Sequence, residues 1–354
     1  MLPNRHPERV VIKIGTSSLI SAGRPDPTKL TALTDAVVRL RAEDRQPVLI
    51  ASGAIALGRA ALDAGAARSA AAQQLAAAVG QGLLFEAFRQ GLAERGLKAA
   101  QILLTPLDLT APGHRASALA VLEGSLDAGL VPVVNENDAV MVRNNDVLAA
   151  LLAAALRAGR LVLLTDVPGL YESDPRKNSG ARRIPEVRVM TPDVERLAGI
   201  AAEGIGTGGM PAKLCAAWIA TMAGVTTVIA GADTEDCVVR AVRGADLGTV
   251  VHPRVPDKQL DLGRLWRALS SPPSGRLVCH PTVWRSVADG GPLLAGQVSS
   301  AIGRFSAGDV VDVVVDDTRV VARGRVRISS AALAEAGADA MVSHHTEYIA
   351  FQEA

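Results

Sequence analysis

The stretch Arg9–Ser18 reads RVVIKIGTSS: a run of β-branched residues interrupted by one lysine, then a glycine and three hydroxyl side chains. Apolar residues at consecutive positions, rather than at alternate ones, mark a strand buried on both faces. The same signature returns in PVLIASG (47–53), AAQILLT (99–105), VPVVNEN (131–137), RLVLLTD (160–166) and TTVIAG (226–231). Between these runs lie helical patterns such as TKLTALTDAVVRLRAED (28–44) and AAAQQLAAAVGQGLLFEAFRQGLAERG (70–96). Strand and helix in alternation predict an α/β unit with a mostly parallel central sheet and helices on both faces, a three-layer sandwich. Polar and glycine residues gather where the strands end, at Lys13–Gly15, Ser52–Gly53, Asn135–Asp138 and Thr165–Asp166. Ligands of open α/β sheets bind along that edge.

Composition narrows the class. The chain has 354 residues, 49% of them hydrophobic and 21% charged, enough for about two domains with an aliphatic core. A formal charge of +1 argues against a general polyanion binder. Cys215, Cys237 and Cys279 are far apart and form no C-x-x-C, which indicates neither a disulfide framework nor a zinc site and fits a reducing cytoplasm. MLPNRHPERV lacks the apolar core of a signal peptide, and VLAALLAAAL (147–156) is too short to span a bilayer. No membrane association is expected.

From His252 to Gly275 the pattern breaks: HPRVPDKQLDLGRLWRALSSPPSG carries four prolines and a short amphipathic piece near Trp266. The domains are therefore read as an α/β unit over 1–256, a linker over 257–274 and a small β-rich domain with one helix, SAALAEAGA, over 275–354.

Several segments carry residues suited to chemistry. GIGTGGMPAK (204–213) has four glycines and ends in Lys213. Glycine lets main-chain N–H groups approach a ligand closely, and a helix follows, a pairing suited to an anion such as phosphate. It reads equally as a glycine-rich surface loop. KIGTSS is not a GxxxxGK[ST] loop, and no GxGxxG follows the first strand. Taken singly, Lys13 serves as well on the surface as on a ligand, and Ser52 as well as an ordinary N-cap. NENDAVMVRNND (135–146), dense in short polar side chains, suits either the ammonium and carboxylate of an amino acid or a polar turn. Thr165 and Asp166 could hold a base or ribose, with Asp174-Pro175 in a loop that could act as a lid. No activated Ser-His-Asp or Cys-His set is visible. Two lysines on glycine-bearing loops, with Asp146 to position them, suit phosphoryl transfer, which needs positioning and cations more than covalent work.

VVIKIGTSSL, ASGAIALG, QLAAAVGQ, QILLT, VPVVNENDAV, LLTDVPGLYESDPR and GIGTGGMPAK stand in the order and spacing of the glutamate 5-kinase family. GGPLLAGQV, GRFSAGDVVDV and ARGRVRISS resemble the PUA domain that ends that family's chains, so the resemblance spans nearly the whole length. It implies an amino-acid kinase-like fold with a PUA-like C-terminal domain. The implied activity is ATP-dependent phosphorylation of the L-glutamate γ-carboxylate, with Mg²⁺ bridging ATP phosphates. By the same resemblance Lys13 and Lys213 stabilise the moving phosphoryl group and Asp146 organises them. Ser52, Asp138 and Asn145 bind glutamate. Thr165, Asp166, Thr207, Gly208, Gly209, Met210 and Lys213 bind the nucleotide. No protein metal site is implied. Proline as feedback inhibitor, glutamyl-phosphate reductase as recipient of the product and a homo-oligomeric assembly are further expectations.

The chain departs from the family pattern at two places. RNND stands where GDND is usual, placing Asn144 in an aspartate's position after a shortened 139–143 loop, and TAPGHRASA (110–118) replaces a charged segment. These bear on substrate identity and on regulation by proline. Two other functions are weighed: a carboxylate kinase of the same fold acting on another amino acid, and RNA binding by the PUA-like tail. From Gly275 onward there are seven arginines, no lysine and nine acidic residues, a balance poorly suited to a phosphate backbone.

Overall fold

Val10, Val11 and Ile12 are wholly buried because their strand lies in the middle of a sheet covered on both faces. The computed structural model describes residues 7–62, 69–141, 144–198, 209–254 and 261–351. It divides into two units, Met1–Met190 with Val194–Asp257, and Lys258–Ala354 with Thr191–Asp193.

The first unit runs β1 (Glu8–Ile14), α1 (Pro27–Ala42), β2 (Arg45–Ala51), α2 (Ala54–Ala61), α3 (Ala70–Ala93), β3 (Ala99–Leu104), α4 (Pro112–Asp127), β4 (Val131–Glu136), α5 (Asn145–Ala155) and β5 (Arg160–Thr165). It continues with β6 (Glu186–Val187), α6 (Met210–Met222), β7 (Thr226–Gly231), α7 (Cys237–Arg243) and β8 (Thr249–Val251). The sheet order is β6-β8-β7-β5-β1-β2-β4-β3. The strands from β7 through β3 are parallel, and β8 is antiparallel to β7. After β1 the chain adds β2, lays β3 at the sheet edge and returns to insert β4 between β2 and β3, then crosses back to lay β5 on the other side of β1. That reversal falls between β1 and β5, and open sheets bind ligands at the carboxyl ends of strands at such a point.

Alternation along β1 sorts its side chains. Val10, Ile12 and Ile14 join Leu33, Leu40, Leu84 and Phe88 in the core beneath α1 and α3. Lys13 points to the opposite face, against which α5 packs beside α6. Helix α5 is buried from Asp146 to Ala153, which suits a helix apolar all round. One strand differs from its reading as doubly buried: β3 is the sheet edge, so Gln101 and Leu103 are exposed while Ile102 and Leu104 are covered.

The second unit contains α8 (Leu262–Leu269), β9 (Gly275–Cys279), α9 (Pro281–Ala288), β10 (Pro292–Leu294), β11 (Val298–Gly303), β12 (Val310–Val315), β13 (Arg319–Arg325), α10 (Ser330–Glu335), β14 (Met341–His344) and β15 (Tyr348–Ala350). Its main sheet, β11-β9-β12-β13-β15, pairs antiparallel except between β9 and β12. Helix α8, inside the stretch read as a linker, packs on β13 and β15, and Arg264 donates to the Tyr348 carbonyl. Helix α9 goes beyond the single helix expected here. Its start is marked by His280, whose Nδ1 caps the Thr282 N–H, and by Pro281. Trp284 and Val287 of α9 enter the core with Leu277, Val313 and Tyr348. Among the described residues, no helix is long and apolar enough to cross a membrane.

Helices α2 and α3 cross at backbone distance. A Cβ built on Gly80 would lie 1.9 Å from the Ala54 carbonyl oxygen, and one on Gly58 would lie 1.7 Å from that of Ala76. Gly82 on the same helix has no neighbour within 4 Å. Gly80→Ala is expected to lower the unfolding free energy by about 1–3 kcal/mol through overpacking. Gly82→Ala should raise it by up to about 1 kcal/mol through helix propensity. Urea unfolding of the two variants measures both; equal effects would mean that the close crossing is absent.

Candidate active site

At the carboxyl end of β1, Lys13 is 4% exposed and its Nζ lies 2.7 Å from Oδ1 of Asp146. The other carboxylate oxygen, Oδ2, faces Nζ of Lys213 at 3.5 Å. Asp146 has no exposure and Lys213 has 6%. Three elements deliver these groups: Lys13 from the central strand, Asp146 from the first turn of α5, and Lys213 from the first turns of α6. An acid in the first turn also meets the positive end of the helix dipole. Burial alone would raise the Asp146 carboxyl. The charges of Lys13 and then Lys213 outweigh it and hold the group below the usual carboxylate range. Lys13 moves down because burial, helped by the Lys213 charge, prevails over the attraction of Asp146. The cluster thus carries two ammonium groups on one carboxylate, an arrangement suited to taking up a further negative charge.

Beside it runs a chain of amides. Asn145 donates through Nδ2 to Ser52 Oγ at 3.2 Å and to Asn135 Oδ1 at 2.8 Å, and its own Oδ1 accepts from the Glu136 N–H at 3.0 Å. Asn135 donates onward to Gln81 Oε1 at 2.7 Å. Ser52 therefore does not cap α2; Gly53 holds that position at φ 128°, and a Cβ there would meet Ile20. Gln81 has no role in the sequence reading and Asn135 appears there only as the start of a polar strand end; both lie inside quoted motifs, QLAAAVGQ and VPVVNENDAV. Their signal was an amide on a buried strand and another on a long helix, each needing a partner. Asp138 follows β4, and burial raises its carboxyl to about 6.

Asn144 has a local task. As N-cap of α5 its Oδ1 accepts from the Asp146 N–H at 2.8 Å. Asparagine and aspartate cap about equally well, so the departure at this position keeps the turn that presents Asp146.

On the β5 side, Thr165 Oγ1 and Asp166 Oδ1 are 3.1 Å apart, and the Thr165 carbonyl accepts from the Ala232 N–H at 2.8 Å. Gly209 caps α6 in extended backbone and Met210 opens the helix, whereas Thr207 and Gly208 lie outside the described residues. Gly15, at φ −75°, needs no unusual conformation, and a Cβ there would meet nothing closer than 3.9 Å. Neither backbone nor packing explains its missing side chain, whereas a ligand seated against the main chain would.

Residues 8–231 match the model of the amino acid kinase family, and residues 275–346 match that of the PUA domain. A protein described as glutamate 5-kinase from Salinispora arenicola is 41% identical over 92% of this chain and 89% of its own length. Another, from Streptomyces coelicolor, is 39% identical over 91% of this chain and 87% of its own. Among solved structures, carbamate kinase from Giardia lamblia bound to AMP-PNP superposes with a TM-score of 0.52 at 17% identity, covering 70% of this chain and 99% of its own. UMP kinase from Bacillus anthracis gives 0.51 at 16% identity, covering 72% and 99%. At such identities the two structures speak for the fold alone.

The raised carboxyl of Asp138 has a consequence for stability. Its folded value of about 6 exceeds the ordinary 3.8, so the folded chain binds the proton more tightly than the unfolded chain. Stability from this group is greatest at low pH and falls as pH rises from about 4 to about 6. Asp138→Asn should therefore be more stable than the parent at pH 8 and equal to it near pH 3.5, as read by thermal unfolding. A variant less stable at pH 8 would show that the carboxylate is held by partners rather than merely desolvated.

Proposed function

The chain belongs to the amino acid kinase family and, within it, to the glutamate 5-kinases; from that premise we propose that its Lys13–Asp146–Lys213 cluster moves the γ-phosphoryl group of ATP onto the γ-carboxylate of L-glutamate. The chain is a phosphotransferase with a carboxyl group as acceptor, acting at the first step of proline biosynthesis. The observation that carries the reading is the convergence of two buried ammonium groups, from residues 200 positions apart, on one carboxylate.

Charge develops on the equatorial oxygens of the phosphoryl group as it passes between donor and acceptor. Lys13 and Lys213 meet that charge from a site already poor in water, so little reorganisation is needed at the moment of transfer. Asp146 keeps the two amines together between turnovers. It also fixes their spacing, which loose lysines on glycine-rich loops would not hold. Both carboxylates of glutamate and the triphosphate of ATP are anions, and the cluster's surplus positive charge draws them in.

Asp138 receives the substrate ammonium, whose charge offsets the burial of that carboxylate. Ser52 and Asn145 hold the substrate's polar groups, and the amide chain through Asn135 to Gln81 keeps Asn145 in one orientation. Thr165, Asp166 and the run from Thr207 to Met210 take the nucleotide, with Gly15 leaving room for its phosphates. Because Asn144 serves the helix cap, the unusual RNND leaves the substrate-binding charges in place, which supports glutamate over another amino acid. Among the described residues, no three His, Cys, Asp or Glu side chains gather to hold a metal. Mg²⁺ brought in with the nucleotide would supply charge neutralisation at its phosphates, as a small hard cation does.

The acyl phosphate hydrolyses readily, so a reductase that consumes it promptly is the expected partner, and proline the expected inhibitor. The free, buried cysteines Cys215, Cys237 and Cys279 suit a reducing cytoplasm. A homo-oligomer is the proposed assembly.

Purified chain with ATP, Mg²⁺ and hydroxylamine should yield a hydroxamate from L-glutamate and none from L-aspartate or N-acetylglutamate. Lys13→Ala and Lys213→Ala should each lower kcat about 10²–10³-fold, the scale of losing one preorganised charge-stabilising group, with the circular dichroism spectrum unchanged. Turnover near the parent in either variant would contradict the assignment.

A further inference from the structure

Thr249, in β8, has no solvent exposure and belongs to neither the cluster nor the amide chain. Its Oγ1 accepts from the Leu170 N–H at 2.8 Å and donates to the Ile184 carbonyl at 2.5 Å. Those two residues are the paired roots of a ribbon, Leu170–Tyr171 against Arg183–Ile184, from which the arm 172–182 projects. One hydroxyl thus uses its donor and an acceptor position to close both ends of an eleven-residue excursion.

The neighbourhood is shaped around that contact. Gly169 sits at φ 124°, and a Cβ on it would lie 2.9 Å from Thr249 Oγ1. Gly248, at φ 66°, lets the chain pass so close to β7 that a Cβ would lie 2.0 Å from the Ile229 carbonyl oxygen. Further anchors reinforce the attachment: Arg183 donates to the Gly248 carbonyl and to Asp246 Oδ1, and the Val250 N–H donates to the Pro185 carbonyl at 2.9 Å. Only three residues, Val167 to Gly169, lie between Asp166 and Leu170, so whatever holds Leu170 limits where the Thr165–Asp166 pair can sit. At the arm's far end Asp174 accepts from the Arg176 N–H at 3.0 Å and from its Nε at 3.1 Å, and Arg176 lies within electrostatic range of Asp166.

We infer that Thr249 is a positioning residue for the nucleotide: by clamping both roots of the 172–182 arm it fixes the Thr165–Asp166 edge and the cationic arm beside it. The inference rests on the assignment of Thr165 and Asp166 to the nucleotide. Thr249 touches no reacting group and acts through Leu170 and Ile184. Its replacement by valine keeps the shape and leaves a buried N–H and a buried carbonyl without their partner, whereas serine keeps both bonds.

The test compares Thr249→Val and Thr249→Ser with the parent. In the parent, steady-state turnover of L-glutamate and ATP establishes the activity independently of either variant. Thr249→Val should raise the KM for ATP at least tenfold and leave the KM for L-glutamate within twofold. It should also speed tryptic cleavage at Arg176, Lys177 and Arg182 at least fivefold. Thr249→Ser should stay within twofold of the parent in all three. If Thr249→Val does not fold, Arg183→Ala, which removes the outer anchor on a partly exposed side chain, should show the same order with smaller changes. Faster cleavage with an unchanged KM for ATP would overturn the inference while leaving the kinase activity standing. So would a parallel rise in both KM values, or a serine variant that behaves like valine.

Discussion

Two like charges cannot be buried side by side without something between them, and Asp146 is what stands between Lys13 and Lys213. At an effective dielectric of about 20, unit charges about 4 Å apart interact by about 4 kcal/mol. Two attractions to the carboxylate therefore exceed the single repulsion between the amines, and Asp146 stays ionised with no exposure to water. One positive charge is left over. The surplus depresses Lys13, whose burial already disfavours the ammonium form, and is relieved when a phosphate arrives. Ground state and transition state are thereby distinguished by charge: the site is least comfortable empty and most comfortable around a spreading anion.

The rest of the first unit can be understood as what brings those three groups to one point. Lys13 must be on the doubly covered central strand, at the position whose alternation turns it away from Ile12 and Ile14 and toward α5. Helix α5 must start where β4 ends, which the Asn144 cap secures. Helix α6 must lie against α5, and their buried faces of Ala, Leu and Ile allow it. On the other face, Gly58 and Gly80 bring α2 and α3 to backbone contact and so steady Gln81, the outer end of the amide chain. On the proposed reading, substrate side and nucleotide side then flank the same carboxylate.

Much of this was legible in the residues. Consecutive apolar runs gave away the strands, and the polar residues that follow them gave away the working edge. What escaped was whatever depends on neighbours distant in sequence. The edge position of β3 is invisible in AAQILLT, because exposure of Gln101 and Leu103 follows from which strand pairs with it and which does not. Ser52 reads as an N-cap until Asn145 is placed beside it. Asn144 reads as a lost substrate charge until its oxygen is found on the Asp146 N–H. Helix α9 was hidden in a β-rich tail by its Thr and Val, and only His280 and Pro281 announced it. Thr249 carries no motif at all; its meaning is made by Leu170 and Ile184, which come to it from sixty-five residues or more away.

The account turns on both ammonium groups sharing one phosphoryl unit while Asp146 holds them together. A crystal structure with ADP, aluminium fluoride, Mg²⁺ and L-glutamate would capture that moment. Lys13 Nζ and Lys213 Nζ should each lie within hydrogen-bond distance of the fluoroaluminate, with Asp146 still in contact with both. A fluoroaluminate touched by neither lysine, or by one alone while the other remains on Asp146, would contradict the account.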